Sequence, residues 1–265
     1  MLSIIIPTLN EETVLEHTLR TVKAGLDKLK SADDENLDRH SAFDYEIIIS
    51  DGRSTDNTQA IAKELAQKTV VYDLPKRQTI AEARNIGARA ATVSASPDSD
   101  FLVFIDADVR IFDADIFFAK ALKHFERDPK LVAMTALLRV QPELATLADK
   151  IVFGGVNLTF FIINNMLGRL FKVGGSSGEF QMMRRSAFET AGGFSEHIAV
   201  GEDNDFFQRL AKIGHTRIAI DLTVYHTGRR AHKIGWPKLL WQWWSNWFAV
   251  TFTKRSASSE WTPIR

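Results

Sequence analysis

The sequence predicts an α/β fold in which helices cover both faces of a mixed, mainly parallel sheet. Short apolar runs of strand length alternate with segments of helical length through the first half of the chain. Polar or acidic residues follow several of these runs directly, as Asp106 and Asp108 follow residues 101–105. Such alternation gives parallel sheets, whose ligands bind at the carboxyl ends of the strands. We therefore expect a Rossmann-like sheet with one functional edge.

The elements of the first half alternate regularly between strand and helix. Pro7 ends the first predicted strand because proline has no backbone N–H. A charged segment, residues 31–41, predicts an exposed loop. The resulting β-α-β-α-β-α-β order implies right-handed crossovers. The predicted strands are 3–7, 45–50, 69–72 and 101–105, and the predicted helices are 12–29, 58–67 and 79–91.

The second half is less regular. A strand over 131–140 is predicted at the edge of the sheet or with mixed pairing, and a glycine-rich loop covers 174–178. Gly192 and Gly193 end a short helix. The predicted helices are 112–125, 185–191 and 202–214, and the further strands are 179–184 and 217–225, the last of which ends at His226.

Composition restricts the classes of function. The 265 residues contain 33 Lys+Arg and 33 Asp+Glu, so a net charge of zero gives no support for a nucleic-acid partner. With no cysteine, any metal must be held by Asp, Glu or His, and a reducing compartment is favoured. Residues 1–4 lack the basic segment and cleavage site of a signal peptide. We expect a cytoplasmic protein.

Asp106 and Asp108 give the clearest chemical signal. If the strand continued, residues two apart would project to one face, where two carboxylates repel each other unless a cation lies between them. Oxygen ligands of this kind suit Mg²⁺ or Mn²⁺ on a phosphate-bearing substrate. Asp-x-Asp alone describes a polar turn equally well. The residues after two other strands, 8–11 and Asp51, should meet the pair at the same edge, which favours a functional site.

The motifs together resemble family 2 glycosyltransferases of the GT-A fold. The resemblance covers roughly residues 2–230, and the motifs occur in the order that the family has. The matching segments are Ile4 to Glu12, Ser50-Asp51-Gly52, Ser54 to Thr58, Ala83-Arg84-Asn85-Ile86-Gly87, Ile105-Asp106-Ala107-Asp108, Gly192-Gly193-Phe194 and Gly201 to Phe206.

The resemblance implies a nucleotide-sugar donor and assigns residues to it. Pro7, Thr8 and Glu11 would line the nucleotide pocket. Asp51 would bind the base by accepting from a ring N–H, and Arg84 would lie near the nucleotide.

The resemblance also implies a divalent metal, Mn²⁺ or Mg²⁺. Asp106 would face the ribose and the metal, Asp108 would ligate the metal, and His226 would be a third ligand. A nucleoside diphosphate leaves with negative charge, which basic residues stabilise. Arg229 and Arg230 are candidates for that role, although a solvated basic face is the alternative for both.

Asp203 resembles the family's general base for the acceptor hydroxyl. One base without a separate nucleophile implies direct displacement with inversion at the anomeric carbon. The neighbouring Glu202 would instead cap the helix. The nearest string to the processive Gln-x-x-Arg-Trp motif begins at Gln242 and lacks the arginine, so we expect transfer of a single sugar.

Three other functions remain open from the residues alone. A nucleotidyltransferase also uses paired aspartates, but it would usually carry a glycine-rich loop where this chain has residues 7–11. A catalytically silent module could bind a sugar or a lipid carrier. A hydrolase of sugar nucleotides would release free sugar without an acceptor.

Two apolar stretches lie outside the motifs. Residues 151–168 carry no charge but contain too many Gly and Asn residues for a good membrane span, and residues 237–253 are rich in tryptophan. Both could pack in the core, form a homodimer, or lie on the inner face of a membrane near a lipid-linked or glycan acceptor. We expect one catalytic domain over 1–230, with nucleotide-binding (about 1–110) and acceptor-binding (about 111–230) parts, and a Trp-rich helix and tail over 231–265.

Overall fold

A computed structural model describes residues 1–34, 44–95 and 100–258. Its centre is a seven-stranded sheet with the order β3-β2-β1-β4-β6-β5-β7. The strands are β1 (Leu2–Thr8), β2 (Tyr45–Asp51), β3 (Lys68–Val71), β4 (Phe101–Ile105), β5 (Leu131–Val140), β6 (Phe180–Arg184) and β7 (His215–His226). The helices are α1 (Leu15–Asp34), α2 (Thr58–Leu65), α3 (Ile80–Ala90), α4 (Ala114–Arg127), α5 (Leu147–Phe161), α6 (Gly168–Phe171), α7 (Arg185–Thr190), α8 (Glu202–Ile213), α9 (Arg229–Ile234) and α10 (Trp236–Thr253).

The sheet is mixed and mainly parallel. Strands β1 to β4 pair in parallel, and so do β5 and β7. Strand β6 is antiparallel to both of its neighbours, β4 and β5, so it alone among the seven runs in the opposite direction. The start of β6 therefore lies at the sheet edge where the other strands end. The predicted α/β class is confirmed.

The central strands are apolar throughout because both of their faces are buried. Ile4 and Ile6 of β1 belong to one core cluster, which includes Phe118 of α4. Ile5, which points the other way, belongs to a second cluster with Phe206 of α8. Alternate residues of a strand face opposite sides of a sheet, so a strand between two helical layers needs apolar residues at every position.

Some predicted boundaries are wrong. Helix α1 continues to Asp34, so residues 31–34 are helical rather than a loop, and the rest of that predicted loop lies outside the described residues. Strand β5 is not at the edge, because β6 and β7 flank it, but the alternative of mixed pairing is confirmed, since β5 is antiparallel to β6 and parallel to β7. Strand β1 continues through Pro7, since its pairing with β4 ends at Ile5 and leaves no β4 ladder there for proline to interrupt.

Candidate functional site

The carboxyl ends of β1 and β2 meet at Asp51. Its side chain is fully buried and accepts hydrogen bonds from the hydroxyls of Thr8 (2.9 Å) and Ser54 (2.6 Å) and from the Ser54 N–H (2.8 Å). Pro7 is also buried, in the strand just before Thr8. The structure thus brings together three of the residues predicted to contact the nucleotide, and both oxygens of Asp51 already have partners within the protein.

Glu11 and Arg229 form a two-pronged ion pair across the same edge. The Nη1 and Nη2 atoms of Arg229 lie 2.8 Å and 2.9 Å from the two carboxylate oxygens of Glu11. The Nε atom of Arg229 lies 3.5 Å from Oδ2 of Asp108. Arg230 follows in the first turn of α9 and is partly exposed. Residues predicted for the nucleotide, the diphosphate and the metal are therefore in direct contact.

Asp106 and Asp108 lie in a turn and not on a continuing strand. Strand β4 ends at Ile105, and the Val109 N–H donates to the Asp106 carbonyl at 3.1 Å. Asp106 lies 3.3 Å from Nη2 of Arg84, while Asp108 accepts a hydrogen bond from the Thr227 hydroxyl. The expectation that strand geometry aligns the pair is wrong, because the chain turns between them.

The surroundings of Asp106 disfavour the ionised form of its carboxyl group. Burial raises the pKa of its carboxyl to about 6, the nearby Asp108 carboxylate adds to the increase, and Arg84 counteracts both. The side chain is still 35% exposed. A carboxyl group in this state gains from a further cation, because a positive charge nearby stabilises the ionised form.

His226 is the last residue of β7. Its Nδ1 atom lies 3.3 Å from the Gly228 N–H, and its Nε2 atom is buried without a hydrogen-bond partner. Phe153 packs edge-on against the ring, and burial lowers the pKa of the imidazole. In residues 1–34, 44–95 and 100–258 no three Asp, Glu or His side chains are arranged to hold a metal ion. The three-ligand metal site remains a prediction.

Arg84 joins the two halves of the site. This arginine is 2% exposed, and its Nη1 atom lies 2.8 Å from Oε1 of Glu202. Its Nη2 atom donates to the Gly178 carbonyl at 3.0 Å and to Asp106. The Phe194 ring packs on the guanidinium at 5.2 Å. One side chain therefore fixes the Asp106 turn, the loop before β6 and the start of α8 relative to one another.

The start of α8 places two carboxyl groups in different surroundings. Glu202 is buried against Arg84, whereas Asp203 is partly exposed and accepts the N–H of Asn204 at 2.8 Å. Burial raises the pKa of Asp203, and Arg84 counteracts the increase. A partly exposed carboxyl with a raised pKa suits a general base better than one held in an ion pair.

Glu179 belongs to this site and was missed in the sequence. It directly precedes β6, and its carbonyl accepts the Asp106 N–H at 3.2 Å. Burial and the charges of Asp106 and Asp203 raise the pKa of its carboxyl well above the ordinary value. Most residues predicted at this edge follow strands, whereas Glu179 precedes one. It reaches the same edge because β6 is antiparallel to its neighbours, and only the pairing of the strands reveals that direction.

The fold and the carboxylate-rich edge define a glycosyltransferase of the GT-A type. A mannosyltransferase from Pyrobaculum calidifontis, solved with GDP-mannose and Mn²⁺, superposes with a TM-score of 0.62 at 20% identity and covers 91% of this chain and 59% of that one. The chain matches "Glycosyl transferase family 2" over residues 3–192. It belongs to that family, as the motifs indicated.

Two curated relatives have narrower names. The succinoglycan biosynthesis protein ExoA of Rhizobium meliloti is 27% identical over 258 residues, which is 88% of this chain and 65% of the relative. The O-antigen chain rhamnosyltransferase WbaN of Salmonella anatum is 29% identical over 175 residues, which is 64% of this chain and 52% of the relative. The chain thus spans half to two thirds of the length of these relatives.

Proposed function

We propose that this protein transfers one sugar from a nucleotide-sugar donor to an acceptor hydroxyl or phosphate, with inversion at the anomeric carbon. Thr8, Glu11 and Asp51 hold the nucleotide, and Asp203 takes the proton from the acceptor. Family membership supports transfer over nucleotidyl transfer or a silent module. The related names, which concern succinoglycan and O-antigen, favour a precursor of a surface glycan as the acceptor.

The observation that carries this proposal is the Arg84 contact set. Arg84 binds Asp106 on the donor side and Glu202, the neighbour of Asp203, on the acceptor side. Direct displacement requires that the nucleophile and the leaving group be held in line. Arg84 would meet this requirement by fixing the proposed base and the proposed metal-binding turn relative to each other.

The charges at this edge fit a divalent cation. Glu11 and Asp108 share the guanidinium of Arg229, and Asp106 shares that of Arg84 with Glu202, so carboxylates outnumber guanidinium groups at this edge. Asp106 and Asp108 would hold Mg²⁺ or Mn²⁺, with His226 as a further candidate. These ions usually take one or two carboxylates and complete their shell with substrate phosphates, so a three-residue protein cluster is not required. The metal would neutralise charge on the leaving diphosphate.

A panel of UDP-, GDP- and dTDP-sugars, each with and without Mn²⁺, tests the donor. At about 100 times Kd we expect one nucleotide class to stabilise the protein by about 2.7 kcal/mol, or roughly 5 to 10 °C in Tm, only when the metal is present. Asp108→Asn should remove the part of the shift that depends on Mn²⁺, and Asp221→Asn, an exposed aspartate on β7, should not. No shift with any donor would contradict the proposed function.

We also propose that the protein works at the cytoplasmic face of a membrane, through the exposed sides of two helical segments. By length and composition, one helix among the described residues could span a membrane, the continuous segment Leu147–Phe171. Asn157 and Asn165 each donate to and accept from the backbone of the sheet, at Leu138 and Ile218, and this attachment of one side favours a helix lying flat on the surface. Its exposed large apolar residues are Leu147, Ile151, Leu158, Ile162, Met166, Leu167, Leu170 and Phe171, most of them spaced four positions apart.

The second segment is α10, whose exposed aromatic side chains form a row. Neighbouring rings of Trp241, Trp244, Phe248 and Phe252 are 4.7 to 5.9 Å apart. Residues 150–178 and 227–258 include no acidic residue, and their basic residues are Lys150, Arg169, Lys172, Arg229, Arg230, Lys233, Lys238, Lys254 and Arg255. Exposed apolar rows with basic residues beside them complement an anionic lipid surface.

Sedimentation with vesicles tests this contact. We expect binding to vesicles that contain phosphatidylglycerol and much weaker binding to phosphatidylcholine alone. The double variant Trp244→Glu, Phe248→Glu should lose binding, whereas Ile116→Glu, at an exposed apolar residue of α4, should retain it. Equal binding by all variants would contradict the proposal. A lipid-free dimer that the double variant disrupts would identify a second copy of the chain as the partner instead.

A further inference from the structure

Glu179 occupies the space between the donor side and the acceptor side of the site. Strand β6 runs opposite to its neighbours, and Ile105 of β4 pairs with Phe180, so Glu179 lies beside Asp106. The residue before it, Gly178, has φ +91°, and a Cβ there would lie 2.9 Å from Oδ2 of Asp203. The backbone of residues 178–179 therefore lies between the Asp106 turn and the proposed base, Asp203.

The carboxyl group of Glu179 has one oxygen atom, Oε2, that is buried and has no hydrogen-bond partner within the described residues. A buried polar atom without a partner destabilises the folded protein, so each one in a native structure calls for an explanation, such as a bound ligand. The nearby Arg84 already pairs with Glu202 and Asp106.

We infer that Glu179 is a specificity residue that hydrogen-bonds a hydroxyl of the sugar being transferred. This inference rests on the proposed function. During transfer the sugar must lie between the diphosphate, near Asp106, and the acceptor oxygen, near Asp203. Glu179 is situated between these two points, and carboxyl groups are good partners for sugar hydroxyls because each oxygen can take part in more than one hydrogen bond.

Calorimetric titration in the presence of Mn²⁺ tests the inference by comparing UDP-glucose with UDP, GDP-mannose with GDP, and dTDP-glucose with dTDP. For the pair that the wild-type protein binds, Glu179→Ala should weaken binding of the sugar nucleotide roughly 10- to 100-fold, the range for leaving a buried polar group without its hydrogen-bond partner. Binding of the nucleoside diphosphate should stay unchanged, because it lacks the sugar. Glu189→Ala, at an exposed glutamate of α7, is the matched control and should change neither.

The outcomes separate this inference from the proposed function. Equal weakening of both ligands, or of neither, would overturn the role of Glu179 and leave the donor class intact. Wild-type protein that binds no nucleotide at all would overturn the proposed function and the inference together. If Glu179→Ala does not fold, Glu179→Met, which keeps the length of the side chain and cannot form the same hydrogen bonds, is measured in the same way.

Discussion

Replacing Arg84 with methionine is expected to lower the free energy of unfolding by about 3–5 kcal/mol, the range for breaking a buried ion pair by removing one partner. The methionine side chain would fill much of the space but would leave Glu202 and the Gly178 carbonyl without their donor. The Asp106 turn, the loop before β6 and α8 would also lose their common anchor, so transfer activity should fall with stability. Urea denaturation measures the first effect.

Two further variants test whether the loss of stability in Arg84→Met comes from the buried ion pair. Arg20→Met, which removes an exposed pair with Glu16 on α1, should change the free energy of unfolding by no more than about 0.5 kcal/mol. Adding Glu202→Gln to Arg84→Met should recover part of the loss, because the second change removes the unpaired buried acid. An Arg84→Met protein as stable as the Arg20→Met protein would show that the contact set is not what holds these elements together.

Asp203→Asn is expected to lower kcat by about 10²- to 10⁴-fold, the usual contribution of a general base, while donor affinity stays unchanged. Asparagine keeps the shape of the side chain and can still accept the Asn204 N–H, but it cannot take a proton from the acceptor. Asp73→Asn, at an exposed aspartate after β3, is the matched control. A variant that keeps wild-type kcat would exclude Asp203 as the base.

The pH profile gives a second measure of the same role. A base works only when deprotonated, and burial raises the pKa of Asp203, so the rate should fall as the pH drops through that raised value. The acid limb should therefore lie above about 3.9, the pKa of an ordinary aspartate. Asp203→Asn should remove this limb from its residual activity.

Local sequence patterns were sufficient to predict the strands of the sheet and many of the residues at its functional edge. The runs 3–7 and 101–105 could be interpreted as strands because burial on both faces demands apolar residues at every position. Parallel order then implied that Thr8, Asp51 and the Asp106 turn share an edge, and the structure brings them to that edge. Family membership was also evident, because several motifs occur in one order.

Contacts between residues that are far apart in the sequence could not be predicted from local patterns. Arg84 pairs with Glu202 across 118 positions, and Glu11 with Arg229 across 218. The sequence predicted a role for three of these residues at the nucleotide or diphosphate but gave no sign that they bind one another. Such pairs depend on the order and direction of strands, which no local pattern encodes.

Local sequence is enough to assign the α/β class, the family and the acidic residues after β4, because each assignment depends on residues that are close along the chain. The tertiary contacts were needed to see which partners Asp106 and Asp108 have, which acid at the start of α8 is held in an ion pair, and that Glu179 lies beside Asp106. The reason is physical: β6 runs against its neighbours, so its first residue reaches the edge where theirs end. Side-chain roles at that edge follow from burial and partners, which exist only once the sheet has formed.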